Sequence, residues 1–364
     1  MKLAPIPVAS LTCAEFRTAA RRLVPRGHGA ATRLYRHLLA TGRLTPEELD
    51  LSVEASSAYH QHFCLDLPEV THVVTEDIES GTTAKATLTS GDGLEYECVF
   101  LPMGRGRATL CISSQVGCKM GCEFCETGRM GLLRNLSTAE IVGQLLVARC
   151  KLGWTFSNVV FMGMGEALDN ADAVIDALRV MSDSGGLAIG LDHITVCTVG
   201  NVAGLQKLRA AGFTRLNVSV SLNAANDALR DTLMPINRRT PLAELQRALV
   251  AYRPRTNFAF GINYCLMPGI NDSIEDIANI AEFCAPLGRV MVNVIPYNPG
   301  TIPIARQPTE REVVNFIHAL REAGLAVRRR ITKGRSVMAA CGQLGNIALR
   351  EEIRAQRRRL RVTE

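Results

Sequence analysis

From about residue 108 onward, short runs of apolar and β-branched residues alternate with longer amphipathic segments. The short runs are typical of buried strands, and the longer segments have the three- and four-residue apolar spacing of helices. The runs predict strands at residues 109–113, 158–162, 193–197, 216–221, 258–266 and 290–295. The amphipathic segments predict helices at residues 138–150, 171–182, 202–211, 241–252, 273–284 and 309–323. This alternation predicts an α/β fold with a parallel sheet or barrel.

Six strand–helix units are too few to close an eight-stranded barrel, so the pattern predicts an open, partial barrel over residues 108–345. In folds of this kind the functional residues lie at the C-terminal ends of the strands. The residues that directly follow each predicted strand are therefore the first candidates for binding and catalysis.

Residues 1–80 are predicted to form a small helical accessory domain. Residues 31–39 carry a helical apolar stripe, and Thr45-Pro46 is a typical helix start. Several arginines make this unit basic, either as a solvated surface or as a face for phosphate groups. They are Arg17, Arg21, Arg22, Arg26, Arg33 and Arg36.

Two further segments flank the barrel. Residues 81–107 are predicted to be a linker that contains a β-hairpin, because residues 84–89 and 94–101 alternate around a Gly-Asp-Gly turn. Residues 346–364 are a basic C-terminal tail, which is either a solvated end or a contact to nucleic acid.

The composition is that of a globular protein with a sizeable core, since 47% of the 364 residues are hydrophobic and 21% are charged. No run approaches the roughly 18 apolar residues of a membrane span, so we expect no membrane association. The net charge of +6 permits a polyanionic partner without demanding one. Twelve cysteines without an export signal predict free thiols in a reducing cytoplasm. Six are expected to be ordinary buried side chains: Cys13, Cys64, Cys98, Cys150, Cys265 and Cys284.

Three cysteines stand directly after the first predicted strand of the barrel, at the spacing Cys118-x3-Cys122-x2-Cys125. Positions i, i+4 and i+7 share one face of a helix, so a buried stripe is one interpretation. Glycines at positions 117, 121, 128 and 131 disfavour a helix, each by about 1 kcal/mol relative to alanine. They favour a loop on which three thiolates converge.

A metal centre on this loop could be zinc or an iron–sulfur cluster. A structural zinc site needs a fourth close ligand, and no second pair of Cys or His residues follows at the usual spacing. Three thiolates on a four-iron cluster leave one iron open for another ligand. We therefore favour the cluster.

This loop and the segments around it resemble the radical S-adenosylmethionine (SAM) superfamily and, within it, the RlmN/Cfr family of adenine methyltransferases of large-subunit ribosomal RNA. The resemblance runs from about residue 25 to residue 345. Beside the three-cysteine motif it rests on residues 109–118, 134–136, 163–166, 233–237 and 339–344. It implies a partial (βα)6 radical SAM barrel with a small N-terminal accessory domain, which matches the pattern of strands and helices.

The resemblance implies two cofactors, a [4Fe–4S] cluster on Cys118, Cys122 and Cys125, and SAM. The residues that match the SAM-binding motifs of the family follow the predicted strands: Gly165, Glu166, Cys197, Ser221, Leu222, Asn223 and Asn298. Glu166 would accept the ammonium group of the methionine part of SAM. Two positions depart from the family pattern, because position 197 is usually Ser and position 223 is usually His.

The family reaction must join two electrophilic carbons, the methyl of SAM and a carbon of adenine. Cys341 matches the family cysteine that first takes a methyl group from one SAM molecule. A second SAM is cleaved to a 5′-deoxyadenosyl radical, which abstracts hydrogen from methyl-Cys341, and the resulting carbon radical adds to adenine. Cys111 matches the thiol that releases the product through a transient disulfide with Cys341. Glu97 matches the proton acceptor, although the segment between Glu97 and Cys111 is one residue longer than the family pattern.

The implied substrate is an unpaired or flipped adenine of 23S rRNA, or of tRNA. Methylation at C2 is the housekeeping activity of the family, and methylation at C8 confers antibiotic resistance. Ala167, where C2 enzymes usually have Pro, and residues 267–273 point weakly to C8. Two other functions stay open, a methyltransferase of a small adenine-containing natural product and a catalytically inert iron–sulfur RNA-binding protein. We further expect a monomeric, cytoplasmic protein that receives electrons from a donor such as flavodoxin or ferredoxin.

Overall fold

Three helices make up most of the N-terminal unit in the computed structural model, which describes residues 4–345. The helices are α1 (Cys13–Leu23), α2 (Ala31–Thr41) and α3 (Val53–His62), and the two-residue strands β1 (Ile6–Pro7) and β2 (Phe63–Cys64) pair in parallel. Four buried rings pack together inside the unit, with centroids 4.8–6.1 Å apart: Phe16, Tyr35, Tyr59 and Phe63. The six arginines singled out in this unit are all exposed.

Three antiparallel strands follow, β3 (Glu69–Ile78), β4 (Gly81–Thr89) and β5 (Glu95–Pro102). The predicted hairpin is confirmed, since β4 and β5 pair around residues 91–93. Strand β3 is a correction, because it lies in the part of the chain that was assigned to the helical unit. It is an edge strand whose side chains are mostly half-buried or exposed, so it lacks the buried apolar alternation by which a strand is recognised.

The barrel strands continue the same sheet. In chain order the remaining strands are β6 (Ala108–Cys111), β7 (Gln115–Val116), β8 (Arg134–Asn135), β9 (Asn158–Phe161), β10 (Ile194–Thr198), β11 (Asn217–Ser221), β12 (Ala259–Leu266), β13 (Arg289–Pro296) and β14 (Val327–Arg329). Ten strands form one sheet in the order β14-β13-β12-β11-β10-β9-β6-β5-β4-β3, with parallel pairing from β6 to β14. The sheet has two edges, β14 and β3, so the open partial barrel predicted from the sequence is confirmed.

Helices cover the outside of the barrel, as the amphipathic segments predict. They are α5 (Thr138–Leu146), α6 (Ala171–Ser182), α7 (Val202–Ala210), α9 (Leu242–Tyr252), α10 (Ile274–Cys284) and α11 (Glu310–Glu322). Two short helices, α4 (Glu126–Met130) and α8 (Asp227–Leu233), lie instead next to the loop of residues 118–125. Three of the outer helices begin at complete capping boxes, formed by Ser137, Ser273 and Thr309. The short elements α4, α8 and β14 were not predicted, because five to seven helical residues or a three-residue strand give too little periodicity.

The helical unit and the barrel share one apolar core, which runs from Val8 to Leu344. The two parts are also tied by polar contacts, since the backbone N–H of Cys13 donates to Asp183 Oδ2 at 2.5 Å. Within residues 4–345, no helix is long and apolar enough to span a bilayer. All twelve cysteines are free thiols. The basic tail, residues 346–364, lies outside the described residues.

Gly204 in α7 allows this helix to approach the turn that follows β9. A Cβ at position 204 would lie 2.3 Å from the carbonyl oxygen of Leu168. We therefore expect Gly204→Ala to lower the free energy of unfolding by about 1–3 kcal/mol, the usual cost of overpacking. Urea denaturation would measure this cost.

The matched control is Gly29→Ala, because a Cβ at position 29 would meet no atom within 4 Å. Its effect should stay within about 0.5 kcal/mol. Equal effects of the two substitutions would contradict the close approach of α7.

Candidate active site at the mouth of the barrel

One cavity lies at the C-terminal ends of the parallel strands. Its volume is about 990 Å³ with the open mouth included, within the range of small-molecule sites. Nine of the residues singled out from the sequence line it: Cys118, Cys122, Cys125, Gly165, Glu166, Cys197, Ser221, Asn223 and Cys341. The fold therefore brings together residues that are up to 223 positions apart in the chain.

The three cysteines of the motif lie on the loop between β7 and β8 and the start of α4. Gly117 and Gly121 on this loop have φ values of +76° and +69°, in the left-handed region that favours glycine. A Cβ at position 117 would lie 1.8 Å from the carbonyl oxygen of Gly131, so the loop closes tightly on itself. The prediction of a loop instead of a helical stripe is confirmed through Cys125, after which α4 begins.

The chemistry of this donor set fits an iron–sulfur cluster. All three thiols lie on the wall of the same cavity and are free. Burial raises the pKa of Cys118 to about 12 and also raises the pKa values of Cys122 and Cys125. The thiols are therefore neutral until a cationic centre displaces their protons. In the described part of the chain, no three His, Cys, Asp or Glu side chains are already arranged to hold a metal ion.

Glu166 is a buried carboxylate at the end of β9. It accepts hydrogen bonds from Thr198 Oγ1 at 2.6 Å, from Val199 N at 2.9 Å and from Leu168 N at 3.1 Å. A carboxylate can accept about four hydrogen bonds, so at least one acceptor position stays open toward the cavity. Burial raises the pKa of Glu166 to about 7, and its hydrogen bonds only partly offset this effect.

Gly165 explains why Glu166 points into the cavity. Its φ is +101°, and a Cβ there would lie 2.6 Å from the side chain of Gln115. This close approach lets Gln115 Oε1 accept a hydrogen bond from the backbone N–H of Glu166 at 2.8 Å. The backbone conformation at position 165 therefore requires glycine. This conformation in turn fixes the position of the Glu166 backbone and side chain.

Polar side chains on neighbouring strands form a ladder across the inner face of the barrel. Asn263 Nδ2 donates to Cys197 Sγ at 3.2 Å and accepts, through its Oδ1, from Asn293 Nδ2 at 3.0 Å. Cys197 Sγ also lies 3.4 Å from Ser221 Oγ. Burial raises the pKa of Cys197 to about 11, so this residue is a neutral thiol in the ladder.

Asn223 follows β11 with φ of +58°, a left-handed conformation that asparagine adopts more readily than most residues. Its Oδ1 accepts from the backbone N–H of Cys265 at 2.9 Å, and its Nδ2 donates to Met234 Sδ at 3.3 Å. The amide therefore holds the end of β12 beside the end of β11, while still lining the cavity.

Two residues matched to the SAM pocket lie outside the cavity wall. Leu222 is part of the apolar core, and only its backbone contributes, through a hydrogen bond from its N–H to Asn263 O at 3.0 Å. Asn298 is buried after β13, and its Oδ1 has no partner in the described part of the chain. An orphaned buried acceptor is expected where a bound molecule completes the site.

Cys341 lies exposed on the rim of the cavity, on the segment that follows β14. This segment is bound to the cysteine loop, since Glu126 N donates to Gly342 O at 2.8 Å and Thr127 Oγ1 donates to Leu344 O at 2.5 Å. Cys111 is buried in β6 and does not line the cavity. Burial raises the pKa of its thiol, and the electrostatic effect of Cys341 adds to this shift.

Glu97, on β5, does not line the cavity. Its carboxylate forms a largely buried ion pair with Lys85 Nζ at 2.8 Å and accepts from Gly345 N at 2.8 Å. Lys85 Nζ also donates to Met338 O at 3.2 Å. Both ends of the segment that carries Cys341 are thus held by this ion pair.

Sequence reasoning missed several residues of the site. Cys265, expected to be an ordinary core thiol, lines the cavity. Thr198, which binds Glu166, and Lys85 had no motif to mark them, because no local pattern distinguishes one hydroxyl or one lysine from the others in the chain. Arg230 is fully buried in α8, but its sequence context is that of an ordinary charged residue on a helix.

The barrel, the three-cysteine loop and the carboxylate beside it define the class of protein. Residues 112–284 match the radical SAM superfamily. The fold is similar to that of a radical SAM methyltransferase from Sphaerobacter thermophilus, with a TM-score of 0.84 and 32% identity over 93% of this chain and 99% of that one.

Two relatives identify the family within this superfamily. The probable dual-specificity RNA methyltransferase RlmN 1 of Protochlamydia amoebophila is 40% identical over 353 residues, which cover 97% of both chains. The dual-specificity RNA methyltransferase RlmN of Methylorubrum populi is 40% identical over 322 residues, or 82% of this chain and 74% of that protein. The chain belongs to the RlmN family of radical SAM methyltransferases.

The effects of substituting Lys85 and Glu97 on the free energy of unfolding should be strongly coupled, because the two side chains form an ion pair. Removing one partner leaves the other charge largely buried, so Lys85→Met and Glu97→Gln should each cost about 3 kcal/mol. The double variant should cost less than the sum by at least about 1 kcal/mol, measured by urea denaturation.

The control is Lys207→Met, which breaks the exposed 2.6 Å pair with Asp172 and should cost less than about 1 kcal/mol. Additive costs for Lys85→Met and Glu97→Gln would show that the two side chains do not interact.

Proposed function

We propose that this protein methylates C2 of an adenine in RNA through a methyl group carried on Cys341. The observation that supports this most is that Cys341 lines the same cavity as the three thiols of the motif and Glu166. A protein that only binds an iron–sulfur cluster has no need of an exposed thiol at the rim of that cavity. The relatives that match most of the chain are named RNA methyltransferases, and the choice of C2 follows the family resemblance, in which C2 methylation is the housekeeping activity.

The cofactors would occupy the cavity in a defined way. Cys118, Cys122 and Cys125 would hold the cluster, and Glu166 would accept the ammonium group of SAM through its open acceptor position. The polar ladder at Cys197 and Ser221 and the orphaned amide oxygen of Asn298 are the remaining candidates for contacts to SAM. When bound, the cluster and SAM together supply the electron and the 5′-deoxyadenosyl radical of this chemistry.

Two thiols of the chain itself carry the methyl group and release the product. Cys341 is exposed on the rim, where it can receive a methyl group and present it to a base entering the mouth. Cys111 is buried, so it is protected from solvent until the Cys341 sulfur must be freed from the methylated base. Burial raises the pKa of Cys111, which keeps this thiol protonated and unreactive before that step.

Glu97 is proposed as the acceptor of the proton that leaves the adenine carbon. It lies beneath the segment that carries Cys341, bound to Gly345 N and to Lys85. The neighbouring ammonium group would orient the carboxylate toward that segment. Access of the base to Glu97 therefore requires the segment around Cys341 to shift.

An RNA substrate agrees with the charge distribution. All six arginines of the helical unit are exposed, so they are available to phosphate groups. We further propose a cytoplasmic, monomeric enzyme that receives electrons from a flavodoxin or ferredoxin. The 23S rRNA and tRNA are the candidate substrates.

The test is a methylation assay with anaerobically reconstituted protein, reductant, SAM and protein-free 23S rRNA or tRNA. Nucleosides from the digested RNA are compared by mass spectrometry with 2-methyl- and 8-methyladenosine. We expect 2-methyladenosine from the wild type and none from Cys341→Ala. We expect Cys111→Ala to accumulate a covalent protein–RNA adduct, because the thioether is not resolved.

Each other outcome has a defined meaning. A product with the retention time of 8-methyladenosine would overturn the choice of C2. Cleavage of SAM without any methylated base would exclude RNA and favour a small adenine-containing substrate. Cys265→Ala is the matched control, since it removes a cavity thiol that has no assigned role.

Glu166 predicts a pH dependence of SAM binding. A carboxyl with a pKa of about 7 is mostly neutral at pH 6 and mostly ionised at pH 7.5, and only the ionised form attracts the ammonium. Affinity should therefore rise roughly eightfold between these pH values, following the ionised fraction. Equilibrium dialysis of radiolabelled SAM with the oxidised, cluster-loaded protein measures it.

The control is Glu166→Gln, which should bind SAM more weakly and with no such rise. The assignment of Glu166 to the ammonium would be wrong if both proteins had the same pH profile.

A further inference from the structure

Arg230 is a fully buried cation, 1% exposed, whose partners in the described part of the chain are all neutral. Its Nε donates to Leu222 O at 3.1 Å, its Nη1 to Asn237 Oδ1 at 2.7 Å, and its Nη2 to Val199 O at 2.7 Å and Ser221 O at 3.4 Å. Placing a charge in the interior is costly unless an opposite charge balances it. These acceptors are dipoles, so the charge itself is not neutralised by direct contact.

Two aspartates lie beyond Asn237, and neither forms an ion pair with Arg230. Asn237 Nδ2 donates to Asp227 Oδ1 at 2.8 Å and to Asp231 Oδ1 at 2.7 Å, so the amide stands between these carboxylates and the guanidinium. Asp227 is exposed and Asp231 half-buried, where solvent screens their charge.

Helix α8, which carries Arg230, packs on the cysteine loop, because Glu123 N donates to Leu233 O at 3.1 Å and Cys118 and Cys122 share an apolar cluster with Leu233. The carbonyls of Val199 and Ser221, which Arg230 binds, belong to residues of the cavity wall.

We propose that Arg230 is a positioning residue that supplies the counter-charge of the cluster and raises its reduction potential. This inference rests on the proposed function, because it assumes a cluster on the three cysteines. Reduction adds one negative charge to a thiolate-bound cluster, and a buried cation nearby stabilises the more negative state. The residue would thus make it easier for the electron donor to reduce the cluster.

The test is a redox titration of the cluster-loaded full-length protein, with the reduced cluster followed by electron paramagnetic resonance. We expect Arg230→Met to have a more negative midpoint potential than the wild type. Arg230→Lys keeps the charge but loses the fork of hydrogen bonds, and its potential should stay near that of the wild type. An unchanged potential in Arg230→Met, or an equal shift in both variants, would overturn the proposal and leave only a structural tie.

Iron and sulfide content and the far-ultraviolet circular dichroism of each variant establish that a folded, loaded protein is compared. If Arg230→Met does not hold a full cluster, Arg230→Gln takes its place, because it keeps amide donors for the carbonyls of Leu222 and Val199. The readout is independent of methylation. If the wild type methylates RNA but Arg230→Met has an unchanged midpoint potential, this inference alone is wrong. If the wild type does not bind a cluster, the proposed function is wrong.

Discussion

The site depends on the attachment of the segment around Cys341 to the cysteine loop. These parts of the chain are 217 residues apart between Thr127 and Leu344, so only tertiary contacts bring them together. Backbone and hydroxyl donors at the start of α4 bind the carbonyls of Gly342 and Leu344, which follow Cys341 in the chain. Gln343 Nε2 adds a third contact, to Pro299 O at 2.9 Å. Because α4 starts directly after Cys125, the position of Cys341 is coupled to the loop that would hold the cluster.

The same segment is held from the opposite side by the antiparallel strands. Glu76 on β3 accepts from Ser336 N at 2.8 Å, and Lys85 on β4 binds Met338 O. The three-stranded extension is therefore a support for the segment that carries Cys341, and not only a linker to the helical unit. This arrangement explains why a hairpin outside the barrel carries Glu97, a residue that the family resemblance assigns to the chemistry.

The sequence predicts the barrel well because buried parallel strands and amphipathic helices have strong and different periodicities. The predicted strand at residues 258–266 and the observed β12 (Ala259–Leu266) differ by one residue at the start. The site is predictable only where a motif marks it, as at Cys118, Cys122, Cys125 and Gly165-Glu166. Lys85, Thr198 and Arg230 escape because their roles come from partners that are distant in sequence, and no local spacing reports such partners.

The fold gives a physical explanation for Cys197 and Asn223, the two residues that depart from the family pattern. Asn223 stands at a left-handed position, where its short amide satisfies the N–H of Cys265, so the substitution preserves the backbone between β11 and β12. Cys197 is compatible with the polar ladder because Asn263 donates to its sulfur, although sulfur is a weaker acceptor than a hydroxyl. Both changes therefore leave the frame of the cavity intact, and because Asn223 keeps a donor and an acceptor, only Cys197 makes the inner face less polar. A less polar wall strengthens the remaining electrostatic contacts in the cavity, above all those of Glu166.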